Sequence, residues 1–82
     1  MLEFDPEKDA ANIAKHGVSL ARADELEIEA YVEDHRFDEL RYRAYGRLDG
    51  QTFCLALTLR NGATRAISLR RTHWKEYRKH VS

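Results

Sequence analysis

Two stretches carry most of the groups that could do chemistry: N-I-A-K-H-G-V-S over residues 12–19 and S-L-R-R-T-H-W-K-E-Y over residues 68–77. The first holds Lys15 and His16, and the second holds Arg70, Arg71, His73, Glu76 and Tyr77. Arg41, Arg43 and Arg60 lie between them. Such a collection suits cleavage of an RNA phosphodiester without a metal ion. The ribose 2′-OH attacks the adjacent phosphorus. A protein then has to supply a base for that proton, cations for the charge that builds on the phosphoryl oxygens, and an acid for the departing 5′ oxygen. His, Glu, Lys and Tyr can move protons, Arg binds phosphate through a planar fork, and aromatic rings stack on unpaired bases. Composition of this kind is compatible with the reaction and does not establish it.

Other chemistries find less support. One cysteine and four histidines (16, 35, 73 and 80) show no metal-ligand spacing. No glycine-rich phosphate loop or G-x-S-x-G elbow is present. Cys54 stands between Phe53 and Leu55, where a packed thiol is expected rather than a nucleophile. His73 and His80 are seven apart and read as two surface histidines. No cofactor is implied.

Eighty-two residues suit one small domain, 1–82, with a modest core. At 43% hydrophobic and 34% charged residues the chain is expected to be globular rather than disordered. It shows neither a signal peptide nor an apolar run near the roughly 20 residues of a membrane span. With its single cysteine, this suits the cytoplasm and no membrane partner. The net charge of zero argues against non-specific nucleic-acid binding by the whole surface. It hides an asymmetry. Residues 1–40 hold four basic against twelve acidic residues, a balance of −8, and residues 41–82 hold ten against two, a balance of +8. The basic half could face an anion, or the halves could simply attract each other.

The elements that must position these groups follow from local pattern. Leu2–Phe4 reads as a short strand. Asp5 caps a helix over 6–16, with Pro6 at its first position, acids in its first turn, Lys15 and His16 in its last, and Gly17 as terminator. Ala10, Ile13 and Ala14 form its expected apolar face. Ser19 caps a second helix, with Leu20, Ala23 and Leu26 repeating every three residues, so that the two should form a helical hairpin. I-E-A-Y-V-E-D at 28–34 reads as a short extended piece, and H-R-F-D-E at 35–39 as a turn. From residue 40 the period becomes two. Three strands joined by Asp49–Gly50 and Asn61–Gly62 form an antiparallel meander. Thr72 caps a last helix whose stripe of Trp74, Tyr77 and Val81 should enter the core. The expected fold is a small α+β domain with a helical layer on one face of the sheet.

The order F-D-P-E-K, then N12-x-x-K15-H16-G17-V18-S19, then E39-x-R41 and G46, then R70-R71 and E76-Y77 resembles the BrnT family over nearly the whole chain. The resemblance implies a RelE-like fold and a ribonuclease toxin of a bacterial type II toxin–antitoxin pair, which cleaves RNA and arrests translation and growth. It also implies a neutralising antitoxin of ribbon-helix-helix type, through which alone operator DNA is bound. Lys15 and His16 match the family's K-H pair, Glu39 and Arg41 its E-x-R, Arg70 and Arg71 its paired arginines, and Glu76 and Tyr77 its final acidic and aromatic positions. Phe4 stands where members often carry Trp.

Lys15, His16, Arg70 and Glu76 are therefore the candidate catalytic residues, with His16 or Glu76 moving the proton. Arg41, Arg43, Arg60, Arg71, His73 and Tyr77 are the candidate RNA contacts. Bland roles stand beside these. Lys15 and His16 also complete a helix end, and Arg41 could pair with Glu39. Arg70 and Arg71 must face opposite sides of a strand. Glu76 and Tyr77 point about 100° apart on a helix, and Tyr77 suits the core. A domain that binds antitoxin or RNA without cleaving is the alternative, which a neutral net charge favours.

Overall fold

The computed structural model describes residues 2–36 and 38–81. Helix α1 spans Pro6–His16 and a 3-10 turn spans Leu20–Glu25. Four strands follow, β1 (Glu27–Asp34), β2 (Arg41–Leu48), β3 (Gln51–Arg60) and β4 (Ala63–Arg71), and helix α2 (Trp74–His80) closes the chain. The sheet is antiparallel throughout, in the order β1-β2-β3-β4. Among the described residues no helix is long and apolar enough to cross a membrane.

The α+β class and the hairpin turns match the sequence pattern. Asp49 and Asn61 take φ of 53°, followed by Gly50 at 76° and Gly62 at 79°. Two successive positive φ values match the right-handed twist of the flanking strands. Around α1, the Asp5 side chain accepts from the Glu7 amide, and Gly17 sits at φ 74° with its amide donating to the Ile13 carbonyl.

Several expectations are corrected. The meander has a fourth strand, because the acidic segment 27–34 pairs along its length with the arginine-rich β2. Asp34 lies opposite Arg41, Glu27 lies opposite Arg47, and Glu29 forms an ion pair with Arg47. Opposite charges across a strand pair favour this register. The expected N-terminal strand is only a single parallel bridge from Glu3 to Arg65. The expected second helix is a 3-10 turn. A strict spacing of three is the 3-10 period, which stacks Leu20, Ala23 and the flanking Leu26 on one buried line. The turn expected over 35–39 is present at His35–Arg36, and Phe37 lies outside the described residues.

The layers also differ from expectation. Leu20, Ala23 and Leu26 pack on one sheet face with Ala44, Leu55 and Leu69. Helix α2 lies on the opposite face, where Tyr77 packs with Tyr45 and Cys54. Trp74 is not core; it is 53% exposed. The apolar side of α1 also faces water, with Ile13 47% exposed. Its buried residue is Asn12. The Asn12 amide donates to the Leu69 carbonyl (2.9 Å) and the Val18 carbonyl (2.8 Å), and its oxygen accepts from the Leu69 amide (3.1 Å). One side chain thus plays the part of a neighbouring strand and holds α1 against β4. Gly46 has a comparable steric role on the other edge. A Cβ there would stand 2.3 Å from the Glu27 carbonyl oxygen, so β1 closes on β2 only over a glycine.

Replacing Asn12 with Leu leaves buried backbone groups without partners, at about 1–3 kcal/mol each. The expected outcome is a fall in melting temperature on the order of 10 °C, given about 4–8 °C per kcal/mol for a domain of this size. A variant melting within about 2 °C of wild type would show that the amide is not what seats α1.

Candidate active site

Strand alternation places Arg41, Arg43, Tyr45 and Arg47 of β2 on the face that α2 covers, opposite Thr58, Ala56, Cys54 and Thr52 of β3. Arg70 of β4 pairs with Cys54 and joins that face. The tip of α2 then closes a polar network. Arg70 donates through both terminal nitrogens to the two oxygens of Glu76, at 3.1 and 2.8 Å. Tyr45 donates its hydroxyl to the same carboxylate at 2.7 Å and accepts from Arg43 at 2.9 Å. The Tyr45 ring stacks on His80 at 4.6 Å and meets Tyr77 edge-on. The Nε of Arg43 is buried without a hydrogen-bond partner.

This network decides protonation. The Arg70 hydrogen bonds, then that of Tyr45, hold the Glu76 carboxyl down at about 2 against the opposing effect of burial. Glu76 is therefore a carboxylate across the neutral range and holds no proton to donate. Burial, then the bond to Glu76, pushes the Tyr45 phenol well above its ordinary value. Burial also pushes the Cys54 thiol up, so Cys54 is the packed thiol that its strand position suggested.

Two concavities meet at Arg70. One, of about 210 Å³, is bordered by Arg36, Arg41, Arg43, Ala56, Ser68 and Arg70, among others. The second, of about 400 Å³, lies between α1 and β4 and is lined by Lys8, Asn12, Lys15, His16, Ser68 and Arg70, among others. Ile67, Ser68 and Arg70 line both, so the two adjoin along this stretch of β4 and together make up a trough beside Arg70. Local structure explains the convergence. Asn12 bonds the backbone of Leu69, one residue before Arg70, and one turn later the same helix presents Lys15 and His16.

Not every candidate arrives there. Arg60 lies in an adjoining crevice with Lys8, Arg65 and Glu39. Arg41 and Arg60 share the Glu39 carboxylate, whose pKa they lower, Arg60 by the larger effect. Arg71 points to the other side of β4 from Arg70 and is exposed. Tyr77, a candidate RNA contact, is instead buried, with its hydroxyl donating to Glu29. Its place on the inner face of α2 leaves no ring surface for a base. His73 is exposed and caps α2 by accepting from the Lys75 amide. His80 is half-buried under Tyr45 and is not the surface histidine expected. Tyr45 was missed as a site residue. Its alternation with Arg43 and Arg47 placed it on the cationic face, and only the packing of α2 joined it to Glu76.

A larger concavity, about 560 Å³, lies on the opposite face. Its walls include Leu26, Ile28, Tyr31, Leu57 and Leu59, with Asp24 as the one carboxylate. It has no lysine, arginine or histidine in its lining, whereas the trough concentrates them.

The Glu76 arrangement has a measurable consequence at low pH. Its folded pKa of about 2 lies below the ordinary 4.5, so its contribution to stability is complete above about pH 4.5 and is lost as pH falls through about 2. The stability difference between wild type and Glu76→Gln, followed by thermal melts, should be constant from pH 7 to about pH 4.5 and shrink below it. A difference that does not change with pH would mean that the carboxylate is not held by Arg70 and Tyr45.

The family model of the BrnT ribonuclease toxin of type II toxin–antitoxin systems matches residues 4–76. A similar solved structure is the Brucella abortus ribonuclease toxin BrnT, at 21% identity and a TM-score of 0.69, covering 88% of this chain and 95% of that one. That likeness shows a shared fold. No match is found among curated proteins. The trough is thus carried on the same α+β scaffold as that toxin, and the family match spans Lys15, His16, Arg70 and Glu76. The chain belongs to the BrnT family of ribonuclease toxins of type II toxin–antitoxin systems.

Proposed function

We propose that this chain is a metal-independent endoribonuclease of RelE-like type that arrests translation and growth in the cytoplasm, and that it cleaves RNA in the trough where α1 meets β4. Convergence of Lys15, His16 and Arg70 on one continuous concavity is the observation that carries this reading. Arg70 and Lys15 would hold the scissile phosphate and offset the charge that develops on it. The 2′-OH attacks phosphorus, a 2′,3′-cyclic phosphate forms, and the bond to the 5′ oxygen breaks. One proton leaves the 2′-OH and one reaches the 5′ oxygen. His16 is the group in the trough suited to such transfers, since one imidazole nitrogen can accept a proton while the other donates one. Glu76, ionised and fixed, acts as a positioning residue that aims Arg70 rather than as the acid.

Membership of a type II system implies an antitoxin partner. We take it to be of ribbon-helix-helix type, with operator DNA engaged only through it. Expression of the chain alone should stop bacterial growth, and co-expression of the partner should restore it.

A second reading has its own support. Arg70 is neutralised by Glu76, Arg36 by Asp34, and Arg60 by Glu39, on a chain of zero net charge. Such pairing suits a domain that binds without cleaving. Purified variants separate the two. His16→Gln and Arg70→Lys should each lower cleavage of a defined RNA by about 10²-fold or more, while His16→Gln melts within a few degrees of wild type. Failure of folded wild-type protein to cleave RNA, with intact binding of antitoxin, would replace the enzyme reading with the binding one.

A further inference from the structure

Trp74 is the only tryptophan in the chain, and the helical stripe at 74, 77 and 81 assigned it to the core. Instead its ring lies on the outside of α2, 53% exposed. Its surroundings are cationic. The Arg78 guanidinium carbon is 5.4 Å and the Lys75 ammonium 5.8 Å from the ring centroid, and the His73 ring is 5.6 Å away at a tilt of 33°. At about 100° per residue, Arg78 lies only about 40° around the helix from Trp74. The one acid of α2, Glu76, falls on the opposite side, where Arg70 and Tyr45 hold it. The outer face of this helix therefore combines an open aromatic ring with positive charge and carries no carboxylate.

Single exposed apolar side chains are common and need no explanation. A large ring flanked by two cations, Lys75 and Arg78, and by the His73 imidazole is a different case. Cations bordering an accessible ring suit a ligand that is flat, unpaired and carried on a polyanion. A base stacked on the indole displaces a cation from the ring face, and the adjoining phosphate receives it. We propose that Trp74, with His73, Lys75 and Arg78, forms a stacking platform for an unpaired base of single-stranded RNA, outside the trough in which Arg70 lies. The proposal rests on the reading that the chain acts on RNA. It gives α2 two faces with separate duties. The inner face fixes Arg70 through Glu76, and the outer face anchors a stretch of substrate away from the cleaved bond. Base stacking on an aromatic ring tolerates any sequence, so the platform contributes affinity and length dependence rather than base preference.

The single tryptophan makes its own reporter. The probe is a single-stranded 2′-O-methyl RNA of about ten nucleotides, within the usual range of single-strand sites and unable to cleave itself. Titrating it into the full-length protein should quench tryptophan emission, in step with the anisotropy of a labelled copy. Trp74→Ala should weaken anisotropy-detected binding by about 10-fold, and Trp74→Phe should recover most of the loss. Both variants should melt near wild type, because the ring is exposed. Three outcomes overturn the proposal, and they differ from one another. If wild type binds the probe and cleaves RNA, yet emission does not move and Trp74→Ala binds as wild type, the platform alone is refuted. If wild type neither binds nor cleaves RNA, the RNA reading fails and the platform falls with it. If emission responds to the cognate antitoxin and not to the probe, the patch is a protein interface.

Discussion

The hydrogen bonds of Asn12 to the backbone of Leu69 hold the two halves of the candidate site together. A helix laid beside an edge strand normally packs through apolar side chains. Here the inward line of α1 is Asp9, Asn12 and His16, and its alanines and Ile13 face solvent. The amide of Asn12 offers a donor and an acceptor to one residue, as a paired strand would, and donates again to Val18. Asp9 repeats the device at the other end of the helix, accepting from the Ser19 hydroxyl and the Leu20 amide. Buried polar bonds of this kind are directional, so they fix rotation and register where a greasy contact would allow sliding. Since Leu69 precedes Arg70, this register sets which α1 residues border Arg70.

Charge is arranged by the same logic. The acidic and basic halves do meet. Glu39 takes Arg41 and Arg60, Glu29 takes Arg47, and Asp49 takes Arg22. Exposed pairs of this sort contribute little stability each. Their larger effect is on where uncompensated charge remains. The basic groups toward the end of the chain, on the outer face of α2, have no carboxylate beside them on that helix face. The Glu76 carboxylate is turned inward, where it orients Arg70 and anchors the tip of α2 to the sheet through Tyr45. A neutral net charge is thus compatible with a locally cationic surface.

What the sequence by itself determined was local. Caps, the Asp-Pro start and the glycine stop defined α1 to the residue, because backbone hydrogen bonds at a helix end are satisfied by neighbours in sequence. The two turns followed from residues that tolerate positive φ, and strand faces followed from a period of two. The opposite orientations of Arg70 and Arg71, and the divergence of Glu76 from Tyr77, were legible for the same reason. The motif order also carried the family, and with it the grouping of Lys15, His16, Arg70 and Glu76. Only the tertiary structure decided the rest. Strand β1 found its place through arginines that come about seven to twenty residues later. An apolar stripe on α1 and a tryptophan on α2 faced water, because the sheet surface each would need was already taken by other contacts: Asn12 at β4, and Tyr77 with Tyr45 on the other face. Periodicity tells which residues share a side of a helix. It does not tell which side meets the sheet, since that depends on partners distant in sequence. Glu76 likewise became an anchor of Arg70 rather than a proton donor only when α2 folded back and placed a guanidinium and a phenol on one carboxylate.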